Sequence, residues 1–294
     1  MLYWGVPRIE STHDVLETLC LLDEASDARA TLAPARGGLL TRFSVAGVPV
    51  LYMDDATLRD PAQSVRGGIP VLFPIAGKLP NGSYSWQGQT YAMKQHGFAR
   101  NLPWQILETS ADAQAAQVTL GLEASDATRA QYPFEFALRF RYRLSGGRLS
   151  LEQRFENRGA TPMPIQPGLH PYFYVRDADK AQTRLSSDAT RAHDNVTGRE
   201  IPLSAPIEFE GREVDLHLLD QRAREVVLTR PGLPAIQVAF DDDQGVLVVW
   251  SLPGRDFVCV EPWSAKFGAL ADGSARLLAP GESTETKLVI SLVG

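Results

Sequence analysis

Four short segments set titratable side chains among apolar residues and glycine, where a solvated role is least expected. They are Arg66-Gly-Gly-Ile-Pro70 running on to Gly77-Lys78-Leu-Pro-Asn81-Gly82, then His96-Gly-Phe-Ala-Arg100, Gly168-Leu-His170-Pro-Tyr-Phe173 and Val258-Cys-Val-Glu261-Pro-Trp263. Taken singly, each is ordinary. A histidine among apolar residues is usually a satisfied core residue, a glutamate at a strand end is usually solvated, and Gly-Gly-Ile-Pro is usually a turn. Together they offer one carboxylate and two imidazoles. These groups can take a proton in one step and return it in the next. The sequence has no phosphate-cradling loop and no ligand cluster at zinc spacing, so neither a metal nor an organic cofactor is expected. A glycosidase would ordinarily need two facing carboxylates, and the motifs supply one.

The elements that must position these residues read as strands. Phe134, Phe136, Leu138, Phe140, Tyr142 and Leu144 alternate with Glu135, Ala137, Arg139, Arg141 and Arg143, the signature of a pleated strand with one buried face. Gly146-Gly147 follows, suited to the positive φ angles of a tight hairpin, and Leu149, Leu151 and Phe155 resume the alternation. Further strands are predicted at 40–45, 48–53, 84–86, 90–93, 117–122, 226–229, 235–240, 246–251, 257–260 and 286–292. Residues 12–24 can be read as an amphipathic helix, although their apolar residues also suit strands. The polar stretch 176–200 reads as a surface loop or solvated hairpin, and its position just after His170 makes it a candidate rim for a site. Many short strands with little helix predict an all-β fold, a large antiparallel β-sandwich. No break in composition divides it, so a single domain over residues 1–294 is expected.

The chain has 294 residues, 29 basic and 35 acidic, for a net charge of −6. With 44% apolar and 22% charged residues it is neither disordered nor an evident binder of nucleic acid. No stretch approaches the ~18 apolar residues of a membrane span. The first ten residues lack the basic and apolar regions of a secretion signal. Cys20 and Cys259 are the two cysteines, each flanked by apolar residues, and are expected to be buried and inert rather than bridged. A cytoplasmic protein, monomeric or homodimeric and without membrane or nucleic-acid partners, is the expectation.

In their order and spacing the four segments resemble the aldose 1-epimerase (mutarotase) family, over nearly the whole chain from about residue 30. The resemblance implies a galactose-mutarotase-like sandwich that interconverts the α and β anomers of a monosaccharide. It also implies roles: Glu261 as general base at the C1 hydroxyl, His170 as general acid at the ring oxygen, and His96 as the group that orients and polarises the ring oxygen. Partial desolvation by the flanking Val258-Cys-Val260 strand and Trp263 would raise the Glu261 pKa. Substrate contacts are implied for Arg66, Lys78 and Asp215, with Asp220 as a competitor for the last. Lys78 stands where the family has an arginine, and so lacks the planar bidentate fork. His193 and His217 read as surface or structural residues. Trp86, Trp104 and Trp250 read as core. Two other readings stay open. One is a hexose-6-phosphate mutarotase, in which Arg66, Lys78 and Arg100 would meet the phosphate. The other is a non-catalytic carbohydrate-binding sandwich.

Overall fold

The structure, a computed structural model, describes residues 6–13, 16–204, 206–209, 211–241 and 245–294. Two large antiparallel sheets dominate it. The first has nine strands, in which Glu225–Arg230, Leu233–Phe240, Ser283–Val293, Arg148–Asn157, Phe136–Ser145, Ala116–Glu123 and Gln105–Ala111 are successive neighbours. Its centre is the hairpin read from the sequence. Ser145 pairs with Arg148, so Gly146 and Gly147 are the whole turn, with φ of 57° and 69°. These are the positive values that a tight right-twisted hairpin requires. The alternation is observed as buried Phe136, Leu138, Phe140, Tyr142 and Leu144, with exposed Arg139 and Arg141 on the other side.

The second sheet has eight strands. Its neighbours run Arg199–Pro202, Arg191–Asp194, Val214–Leu218, Val246–Ser251, Phe257–Trp263, Gly168–Leu169 and Val71–Leu72, and Tyr172–Tyr174 also pairs with Phe257–Trp263. All seven residues of Phe257–Trp263 are buried, because both faces of this strand are covered. Its alternation separates two environments. Val258 and Val260 belong to the main hydrophobic core, with Phe140, Leu151 and Phe155 of the nine-stranded sheet. Phe257, Cys259, Glu261 and Trp263 point the other way. One face of the strand therefore holds the sandwich together, and the other floors a polar pocket.

Beside these stand a five-stranded sheet, Arg8–His13 to Val48–Pro49, and two two-stranded ribbons. Residues 17–23 form a strand rather than part of a helix, pairing with Arg8–His13 on one side and Ala28–Ala33 on the other. Its burial explains the ambiguous pattern: Leu19 and Leu21 alternate as strand residues should, but Leu22 is buried as well. Residues 14 and 15 of the expected helix lie outside the described residues. The predicted strand 48–53 is paired as a strand only at Val48–Pro49, with single bridges at Leu51 and Met53. Cys20 is half-buried rather than buried, whereas Cys259 is buried, and both are free thiols.

Candidate active site

A pocket of about 420 Å³ opens on the polar face of the eight-stranded sheet. It is lined by Glu261, His170, His96, Arg66, Lys78 and Asp215, the six leading candidates from the sequence. Cross-strand register explains the floor. His193, His217, Val248 and Glu261 sit opposite one another on four adjacent strands. Asp215, Trp250 and Cys259 form the next row on the same face, since each lies two residues along its strand.

Glu261 is 2% exposed. Its Oε1 lies 3.4 Å from His170 Nε2, and its Oε2 accepts a hydrogen bond of 3.2 Å from the Trp263 indole N–H. Burial, reinforced by the negative charge of Asp215, holds the Glu261 carboxyl well above the usual carboxylate range. The Trp263 bond acts in the opposite sense, because a donor favours the ionised form. Burial thus raises the Glu261 pKa as expected, and the indole N–H offsets part of that rise.

His170 is 7% exposed, and its ring stacks on Tyr172 with centroids 4.6 Å apart and planes 7° from parallel. Burial, with the nearby Arg100 guanidinium, lowers its pKa to about 3. Burial therefore disfavours the charged form of both partners. Holding a single proton, the pair offers one acid and one base whichever member carries it.

His96 owes its place to an unusual backbone. It has φ of 66°, uncommon for a non-glycine residue and characteristic of sites where geometry is imposed. Gly97 follows at φ of 67°, where a Cβ would lie 2.2 Å from the Phe73 carbonyl oxygen, so only glycine fits. The His96 N–H donates to the Gly77 carbonyl at 2.7 Å, and the Gly77 N–H donates to His96 Nδ1 at 3.0 Å. Nδ1 is thus an acceptor, and a neutral ring carries its proton on Nε2. Burial, then the positive charge of Arg100, holds His96 well below its ordinary pKa. The result is a neutral imidazole with a fixed tautomer and its proton on Nε2. That nitrogen lies 3.1 Å from the terminal amide of Gln95, where only the amide oxygen can accept the proton.

Asp215 is held differently. Its Oδ2 accepts from Asn195 Nδ2 at 2.7 Å and its Oδ1 lies 3.6 Å from His217 Nε2. Burial alone would raise its pKa, but His217 and Asn195 outweigh burial and hold it below the usual value. Asp220 does not line the pocket; it accepts from the Thr190 and Arg191 backbones and the Thr190 hydroxyl. At the mouth, the Arg66 guanidinium lies 6.0 Å from the centre of the Trp250 ring, whose N–H donates to Glu213. Lys78 is exposed.

Two pocket residues depart from the sequence reading, and a third comes from the stretch it read as a rim. His217 is 3% exposed and lines the pocket rather than the surface, in T-shaped contact with Trp263 at 5.2 Å. Trp250 lines the pocket instead of the core, while Trp104 is a core residue. Asn195 comes from the predicted polar rim, just after the strand Arg191–Asp194. One signal for His217 was present in the sequence: it lies two residues from Asp215, hence on the same strand face.

The chain matches the family model of aldose 1-epimerase over residues 21–291. It is 29% identical to a Salmonella typhimurium protein described as "Putative glucose-6-phosphate 1-epimerase", over 97% of this chain and 94% of that one. A crystal structure of the Slr1438 protein from Synechocystis sp. PCC 6803 superposes with a TM-score of 0.89 at 34% identity, covering 100% of this chain and 98% of the other. A crystal structure of a Salmonella typhimurium protein titled a "putative mutarotase" superposes with a TM-score of 0.78 at 23% identity, covering 98% and 94%. The antiparallel sandwich is the fold of the galactose mutarotase-like proteins, among them one from Lactobacillus casei that superposes with a TM-score of 0.75 at 20% identity, covering 97% of this chain and 100% of the other. The chain belongs to the aldose 1-epimerase family, and it is an isomerase of the mutarotase type acting on a small sugar.

Proposed function

We propose that Glu261 and His170 are the proton-transfer pair of this epimerase and that its substrate is an aldose. The observation that carries the proposal is the 3.4 Å approach of Glu261 Oε1 to His170 Nε2, both buried at the floor of the pocket. Ring opening needs one group to take the C1 hydroxyl proton while another protonates the ring oxygen. The C1–ring-oxygen bond then breaks and leaves a C1 aldehyde. Rotation about C1–C2 presents the other face, and reclosure reverses both proton transfers. With the pair's single proton on His170, Glu261 acts as base at the C1 hydroxyl and His170 as acid at the ring oxygen. His96, neutral with its proton on Nε2, donates to the ring oxygen without adding charge. Asp215 is an ionised acceptor for sugar hydroxyls, and Arg66 and Lys78, which line the same pocket, are further contacts for the substrate. The volume suits one sugar, being near the lower end of the range for small-molecule sites.

A phosphorylated aldose is the second reading. Arg66, Lys78 and Arg100 line the same pocket, and guanidiniums suit a phosphate. The description of the Salmonella relative points the same way. Optical rotation of fresh α-D-glucose, α-D-galactose and glucose 6-phosphate, with and without protein, separates the two. Acceleration with the free sugars supports the first reading, and acceleration with the 6-phosphate alone assigns the second. Loss of acceleration in Glu261→Gln and His170→Asn is expected; full retention in both overturns the proton-transfer pair. The charge, composition and unpaired cysteines support a cytoplasmic protein of one domain, working as a monomer or homodimer.

A further inference from the structure

Cys259 has no part in the proton transfers above, yet it lies on the pocket-facing side of the strand that carries Glu261. Its thiol sulfur, a ring nitrogen of His170 and a carboxylate oxygen of Glu261 all lie within 4.8 Å of one another. All three side chains are buried, and Glu261 and His170 line the pocket while Cys259 sits behind them, beside Tyr172 and Phe257.

We propose that His170, Cys259 and Glu261 form a binding site for a thiophilic divalent cation such as Zn²⁺, which inhibits the enzyme by occupying its proton-transfer pair. One imidazole, one thiolate and one carboxylate make a donor set suited to zinc rather than to magnesium or calcium. Tetrahedral bonds of about 2.0–2.3 Å put ligand atoms roughly 3.3–3.8 Å apart. The 3.4 Å between His170 Nε2 and Glu261 Oε1 already meets that spacing, so closure asks only for a small approach of the Cys259 sulfur. Three protein ligands leave a fourth position for water, and it faces the pocket by which the cation would enter. Binding expels the thiol proton, and the carboxyl proton where present, to solvent. Arg66 and Arg100 oppose a cation here, and Asp215 favours one. The site is thus one of moderate affinity, reversed by a chelator, rather than a permanent metal centre. A sugar and the cation would compete, because both need Glu261 and His170.

The binding part stands without the proposed catalytic roles, and the inhibition part rests on them, so the test reads them separately. Untagged protein is titrated with Co²⁺, whose bond to a thiolate gives a charge-transfer band in the near ultraviolet. We expect a saturable band in the wild-type protein that Zn²⁺ displaces, and none in Cys259→Ser or Cys259→Ala. Circular dichroism verifies that each variant is folded, and His170→Asn, which keeps the cysteine, serves as a second probe that should weaken the band. In parallel, Zn²⁺ inhibition of mutarotation is measured relative to each variant's own uninhibited rate. It should be competitive with sugar, be reversed by chelator, be absent with Mg²⁺, and need at least about tenfold more Zn²⁺ in Cys259→Ala. Changes even to the outer partners of metal ligands have effects of that size. Absence of a saturable band in folded wild-type protein overturns the site. So does inhibition of Cys259→Ala at the wild-type Zn²⁺ concentration. A band without inhibition keeps the site and counts against the catalytic roles of Glu261 and His170.

Discussion

Asp215 and Glu261 are carboxylates on the same face of the same sheet, two strands apart and lining one pocket, yet their proton affinities are pushed in opposite directions. The difference lies in their partners. Asp215 accepts from Asn195 and is met by His217, so its negative charge is stabilised. Among the described residues, Glu261 has only the Trp263 N–H as an unambiguous donor, and the imidazole facing it is itself held neutral. Burial dominates at Glu261 and hydrogen bonding at Asp215. A carboxylate fixed as an anion can orient a substrate but is a poor proton acceptor, whereas one whose pKa lies nearer the working pH can accept and return a proton.

The largest expected effect separates the two residues by kinetics. Glu261→Gln should lower kcat by about 10²–10⁴, the usual contribution of a positioned acid or base. Asp215→Asn should act mainly on KM, by roughly tenfold, the loss of a charge-assisted hydrogen bond of about 1.5 kcal/mol. Initial rates by polarimetry over a range of sugar concentrations give both numbers. Equal effects on kcat in the two variants would break the division into base and anchor.

A middle-sized effect concerns the indole N–H that donates to Glu261. Trp263→Phe keeps an aromatic ring but removes the N–H, which favours the ionised carboxylate. The Glu261 pKa should rise further, and with it the acidic limb of the kcat/KM profile. A base works only when deprotonated, so activity should then begin at a higher pH than in the wild type. The limb of Asp215→Asn should move the other way, because removing that negative charge eases the ionisation of Glu261. An unmoved limb in both variants would show that Glu261 is not the group titrating there.

The same two residues mark how far the sequence could be read. Alternation over 134–144 and the Gly-Gly turn located the central hairpin, because period-two burial survives in one dimension. Glu261, His170 and His96 were legible through their motifs and spacing. Two of the residues that complete the pocket floor were not. His217 and Trp250 become floor residues only when Val214–Leu218, Val246–Ser251 and Phe257–Trp263 are laid side by side in register, which is long-range information. The hydrogen bond of Trp263 escaped notice for a related reason. Sequence proximity to Glu261 indicated contact but not that the indole N–H points at the carboxylate. Residues 17–23 misled because a strand with an extra buried leucine loses its clean period.

The smallest expected effect is on stability, and its sign is the sharpest form of the comparison. Glu261 binds its proton more tightly folded than unfolded. Its contribution to stability is therefore complete below the unfolded pKa of about 4.3 and is lost as pH rises through the higher folded value. Glutamine mimics the protonated form at every pH. Glu261→Gln should match the wild type in acid and become the more stable protein as pH rises. Asp215 binds its proton less tightly folded. Its contribution is present above the unfolded pKa of about 3.9 and fades only as pH falls through the lower folded value. Asp215→Asn should therefore be less stable than the wild type at pH 7, with the deficit shrinking in acid. A change of about 1 kcal/mol corresponds to roughly 2 °C in a chain of this size. Thermal melts at intervals from pH 4 to 9 should thus give difference curves of opposite sign at neutral pH, diverging as pH rises from the acid end. Curves of the same sign would mean that one of the two carboxylates is not held as its neighbours indicate.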